Sequence, residues 1–140
     1  MDAPDPQNLR RQFRLPAEDE VSLDGLKQPW ETAIVTNQRW LLVYDEKIPV
    51  GYNVATTNVA ILIAPGYPLG PLDMAYFCPH LIRASGAAPQ RSEGRVNIDN
   101  RSWQGWSRHR TAANPWTPGE DNLESHYFYV RAWLIDELNR

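Results

Sequence analysis

Apolar and polar positions alternate most clearly in the first half of the chain. In "WETAIVTNQRWLLVYD" two β-branched or aromatic runs, Thr32 to Thr36 and Arg39 to Tyr44, flank Asn37-Gln38, which predicts a tight hairpin. Thr56 to Ala64 predicts a third strand, apolar enough to lie centrally in a sheet. Met74 to Phe77 predicts a short fourth. Sequential strands on short links pair antiparallel, because parallel neighbours need crossovers of about a dozen residues. The expected sheet is a four-stranded antiparallel meander.

Helical periodicity flanks these strands. Pro16 suits a first helical turn and Glu18, Asp19 and Glu20 suit the positive end of a helix dipole, so a short helix is predicted to about Leu26, closed by Pro29. Near the other end, Leu123, Tyr127, Val130, Leu134 and Leu138 recur at helical spacing beside Trp133, behind a capping-box pattern of Asp121 and Glu124. This predicts a C-terminal amphipathic helix of about sixteen residues, packed on the sheet. Between strands and helix, Ile82 to Asn100 reads as a long ordered loop punctuated by Gly86, Pro89 and Gly94. The following "NRSWQGWSRHRTAANPWTPG" reads as irregular backbone pinned by Trp103, Trp106 and Trp116, without a strand. Residues 1–14 are expected to form a flexible arm ahead of one α+β domain, 15–140.

Composition narrows the function classes. A chain of 140 residues supports one core, and its net charge of -3, with no like-charge run longer than "EDE" at Glu18 to Glu20, supplies no basic field for nucleic acid. The most apolar stretch, "VAILIA" at Val59 to Ala64, is far short of the ~20 residues that span a bilayer, and "MDAPDPQNLRRQFRLP" lacks the apolar centre of a secretory signal. A single cysteine forms no internal disulfide, so a cytoplasmic protein without membrane association is expected. Glycine-rich phosphate loops, paired carboxylates and catalytic triads are missing from the pattern, and no cofactor is expected.

The densest motif is "APGYPLGPLDMAYFCPHL", Ala64 to Leu81. It is similar to the signature of the ubiquitin-conjugating-enzyme (UBC) fold, with Tyr67-Pro68 as its Tyr-Pro pair, Pro71 as the later proline, and Cys78-Pro79-His80 where a His-Pro-Asn turn stands. Through "LLVYDEKIPVGYN", "YPLGPLDMAYF" and "WQGWSRHRTAANPWTPGEDNLESH" the chain further resembles the bacterial ubiquitin-conjugating-enzyme-like proteins of family E, over most of Trp30 to Leu138. The resemblance implies a UBC-like fold and a place in a bacterial ubiquitin-like pathway. Its implied partners are a ubiquitin-like modifier, a ThiF-like activating enzyme and a JAB-type metallopeptidase.

Modifier transfer needs a thiolate, an oxyanion donor and a path for the attacking amine. The resemblance implies a cysteine about ten residues past the turn, at Ala88, where "GAAPQRSEG" has none. Ser85 and Ser92 lie there without an adjacent base. Cys78 is the candidate catalytic nucleophile, activated by His80 or His109; as a small apolar side chain at a strand end it needs no such role. His109, between Arg108 and Arg110, is a candidate base or oxyanion donor, and the arginines suit a carboxylate or an acidic tail; equally, they suit a solvated loop bonded to its own carbonyls. Cys78, His80 and His109 lack paired metal-ligand spacing, so no metal site is expected. Two functions follow: a conjugation-pathway component resembling a conjugating enzyme, or a non-catalytic scaffold for the modifier or its activating enzyme.

Overall fold

The computed structural model describes residues 3–140; Met1 and Asp2 of the expected arm lie outside them. A short helix α1 (Ala17–Gly25) precedes strands β1 (Trp30–Val35), β2 (Gln38–Lys47), β3 (Thr56–Leu62) and β4 (Ala75–Cys78). Strands β5 (Gly94–Ile98) and β6 (Arg101–Trp106) and the helix α2 (Leu123–Leu138) follow. The fold is α+β, as expected, and consistent with an E2-like architecture. The sheet is larger than expected: six antiparallel strands in the order β1-β2-β3-β4-β6-β5.

The two added strands replace part of the expected long loop and of the irregular Trp-rich segment. Asp99 and Asn100 have φ of 54° and 62°, and Ile98 pairs with Arg101, so these two residues form the tight turn of a hairpin. Val96 and Ile98 alternate with exposed Arg95 and Asn97, the strand signal that polar neighbours obscured. Trp103 and Trp106, spaced by three, are buried on opposite faces of β6 rather than pinning irregular backbone. In the β1–β2 hairpin the turn is Thr36-Asn37, one residue earlier than expected, with Val35 paired to Gln38.

Apolar alternation is weak in β2 because both sheet faces are buried. Leu41 and Val43 join the core under the helices, together with Val59, Ile61, Phe77, Trp106 and the α2 residues Leu123, Tyr127, Val130 and Leu134. Trp40, Leu42 and Tyr44 face the other way, into a second cluster with Ala60, Cys78, Ile98 and Trp103. That second face is covered by the curl of the sheet. Arg10 clasps its two ends, donating to Glu31 of β1 at 2.8 Å and to Asp99 of the β5–β6 turn at 2.7 and 3.0 Å. The same segment is bonded to β1 through Gln12 N–H to Thr32 O at 2.9 Å and Thr32 N–H to Arg10 O at 3.1 Å. Across the sheet, Tyr76 lies directly over Gly105, where an added Cβ would approach its ring to 2.7 Å.

The helix α2 starts one residue later than the capping pattern suggested. Asn122, not Asp121, caps it: Asn122 Oδ1 accepts from Ser125 N–H and Ser125 Oγ accepts from Asn122 N–H, each at 3.0 Å. Asp121 instead receives the Thr117 N–H at 2.7 Å and the Ser125 hydroxyl at 3.0 Å, closing the preceding turn.

Candidate functional site

The proline-rich stretch is held from both sides. Tyr67 donates its hydroxyl to the buried Asp19 carboxylate of α1 at 2.5 Å, and Trp116 donates its indole N–H to Pro68 O at 3.2 Å while its ring packs edge-on against Tyr67. Burial pushes the Asp19 pKa up, and the Tyr67 hydrogen bond opposes that shift by favouring the carboxylate. The Tyr-Pro pair thus anchors the entry to β4.

Beyond β4 the chain leaves the ladder, and four polar side chains replace the lost strand bonds. Asn58 donates to Cys78 O at 2.9 Å, Thr57 to Pro79 O at 3.1 Å and Asn53 to His80 O at 3.2 Å. Gln104 of β6 satisfies Leu81 twice, accepting its N–H at 2.9 Å and donating to its C=O at 3.1 Å. The Cys78-Pro79-His80 turn is therefore rigid where it sits.

Cys78 ends β4 with its side chain in the second cluster, buried. Burial pushes its thiol pKa up, so the reactive thiolate is disfavoured. His80 is turned toward β6, its Nε2 3.0 Å from Ser102 O, and forms no hydrogen bond with the thiol. Ser92 is buried and donates to Pro89 O at 2.7 Å, while Ser85 is exposed and accepts only the Ala87 N–H. Neither serine has a base beside it.

His109 lies elsewhere. Its Nδ1 stands 2.9 Å from both carboxylate oxygens of Asp73, and the two side chains are 56% and 53% exposed. A carboxylate only accepts, so Nδ1 carries the proton of this hydrogen bond. Asp73 precedes β4 while Cys78 ends it with its side chain in the second cluster, and no hydrogen bond joins His109 to the thiol. The structure does not bring the two candidates together.

The arginines flanking His109 point inward. Arg108 is buried, donating to Gln90 O at 2.7 Å and to Glu137 at 3.2 Å with its guanidinium over Trp106. Arg110 is wedged between Trp116 and Tyr129 and lies 3.7 Å from Asp121. They anchor the loop that presents the histidine, Arg108 through the Gln90 and Ser107 carbonyls and Glu137, and Arg110 through two aromatic rings.

This arrangement of a Tyr-Pro-anchored β4, a fixed turn after it and a terminal helix coincides with a family match. The model of prokaryotic E2 family E matches residues 15–137. The chain belongs to prokaryotic E2 family E. Among curated proteins and among solved structures, none matches it. In this family E chain the stretch that carried the resemblance, Tyr67 to His80, is the same stretch that the side-chain bonds above hold in place. Among the described residues no helix is long and apolar enough to cross a membrane, and no cluster of three or more His, Cys, Asp or Glu side chains is placed to hold a metal.

One residue beside this stretch escaped sequence reading. His126, in the first turn of α2, is buried; its Nε2–H donates to Met74 O at 3.1 Å, the ring packs edge-on to Trp133, and Nδ1 has no partner. It fixes the backbone next to Asp73. Helical spacing was the available signal, since His126 falls on the same face as Leu123 and Val130. Burial pushes its pKa below the ordinary 6.5. Below that ordinary value the unfolded chain takes up a proton that the folded chain resists, so this residue removes stability as pH falls from about 7 toward its folded pKa. Thermal unfolding of wild type and His126→Gln, which keeps an N–H donor but does not titrate, is expected to diverge through that window, with the variant losing less stability. Parallel curves from pH 7 to 5 would contradict the assignment.

Proposed function

We propose that this chain is a component of a bacterial ubiquitin-like conjugation pathway that engages the modifier or its ThiF-like activating enzyme without carrying the modifier as a thioester. Membership of prokaryotic E2 family E supports the pathway. The observation that carries the non-thioester reading is the burial of the only cysteine, whose pKa rises and whose neighbouring histidine bonds to Ser102 instead. Holding an acyl group there would require the thiol to reach solvent and lose its proton in an apolar cluster. A JAB-type metallopeptidase acting on the same modifier belongs to this reading as a pathway neighbour.

The exposed His109–Asp73 pair supports a second reading, in which the chain assists transfer catalytically. Asp73 would orient the imidazole, and Nε2 would take a proton from an attacking amine. Binding separates these readings from no function in the pathway at all. Calorimetric titration of the chain with the purified modifier and with the activating enzyme is expected to show a complex with at least one, unchanged in Cys78→Ala. Absence of both complexes would overturn the proposal.

A further inference from the structure

The sequence contains only two lysines, Lys27 and Lys47, against a majority of arginines among fourteen basic side chains. Both border one open cleft of about 710 Å³ between the end of α1, the end of β2 and the C-terminal half of α2. That volume is in the range of small-ligand sites, roughly 300–1,000 Å³.

The cleft's polar floor is internally satisfied. Glu46 accepts from the Tyr127 hydroxyl at 2.7 Å, from Gln28 Nε2 at 3.1 Å and from Arg131 Nε at 3.0 Å. Arg131 and Glu46 therefore neutralise one another. Among the described residues neither lysine has an ion-pair partner. Asp45, the remaining charge, is exposed at the cleft's edge and lends its backbone N–H to Asn58. Two free cations face one anion, in a chain whose net charge is -3.

The walls are apolar, from Leu26, Pro29, Pro49, Leu134 and Ile135, the last 52% exposed. Among the described residues, no aromatic ring lines the cleft to stack on a base. From this combination we infer that the cleft binds the C-terminal end of an extended polypeptide. Lys27 and Lys47 take its terminal carboxylate, Asp45 accepts a backbone N–H, and the proline and aliphatic walls take its apolar side chains. The site shares no residue with the Cys78 turn or the His109–Asp73 pair, and it stands whether or not the pathway reading holds.

The test is fluorescence anisotropy with a fluorescein-labelled hexapeptide of alternating leucine and glycine, made with a free C-terminal carboxylate and as the C-terminal amide. The carboxylate form is expected to bind about tenfold more tightly, about 1.4 kcal/mol, than the amide. The Lys27→Ala/Lys47→Ala double variant is expected to lose that difference, whereas Arg101→Ala, on the far side of the sheet order, retains it. Equal binding of the two peptides, binding of neither, or a difference that survives in the lysine variant would overturn the inference.

Discussion

Replacing Glu137 with leucine is expected to cost about 3–5 kcal/mol of unfolding free energy. Glu137 lies in the last turn of α2, where the helix dipole disfavours a negative charge, and it is only 1% exposed. What holds it there is a convergence of donors: Arg108 at 3.2 Å, Arg83 at 3.6 Å, Arg140 at 3.8 Å and the Gln90 N–H at 3.1 Å. Arg108 has a side chain only 7% exposed, so losing the carboxylate strands a buried cation that keeps only the Gln90 and Ser107 carbonyls. Breaking one side of such a pair is costly, while removing both sides with apolar residues of similar volume is not. Urea unfolding should therefore show the full loss in Glu137→Leu and recovery of at least half of it in Arg108→Met/Glu137→Leu. A loss below about 1 kcal/mol in the single variant would show the pair to be screened like a surface bridge.

The second large effect falls on the turn beyond β4. Gln104→Leu removes, in one substitution, the acceptor of the Leu81 N–H, the donor to the Leu81 C=O and the acceptor of the Trp106 indole N–H at 3.0 Å. All of these groups are buried, and each unsatisfied one costs about 1–3 kcal/mol, not additively. A total loss of about 3 kcal/mol is expected. Because Gln104 bonds both backbone groups of Leu81, amide exchange at Leu81 should accelerate more than the global destabilisation alone accounts for. Exchange that tracks global stability everywhere would mean that the turn is held by Asn53, Thr57 and Asn58 without it.

Most of the fold could be read where burial imposes a regular period. Trp40 to Tyr44 of β2 and Val59 to Leu62 of β3 are unbroken apolar runs because both faces of the sheet are covered, and α2 repeats at helical spacing because one stripe packs on the core. The β5–β6 hairpin was misread because its turn is Asp99-Asn100, without glycine, and its outward residues are an arginine and an asparagine inside a polar stretch. The second buried face was also out of reach, since it depends on Arg10 meeting Glu31 and Asp99 from distant parts of the chain.

The site was legible as an address and much less as chemistry. Tyr67, Pro68 and Pro71 carried the resemblance, and Tyr67 proves to have a physical task, tying the loop to Asp19. That Cys78 lies inside a second cluster, that Arg108 turns inward while His109 turns out, and that His126 supports Met74 are all consequences of tertiary packing. No local pattern contains them. The one-residue slip of the α2 cap had a local cause, because Asp121-Asn122 offers two capping side chains in succession and Asn122 with Ser125 satisfies both backbone donors.

On the proposed function, Cys78 does not carry the modifier. The most direct measurement mixes the chain with its activating enzyme, the modifier and ATP, and follows products by mass spectrometry and non-reducing electrophoresis with and without reductant. No reductant-sensitive adduct of this chain is expected, for wild type and Cys78→Ala alike. A reductant-sensitive adduct that forms on wild type and vanishes in Cys78→Ala would contradict it.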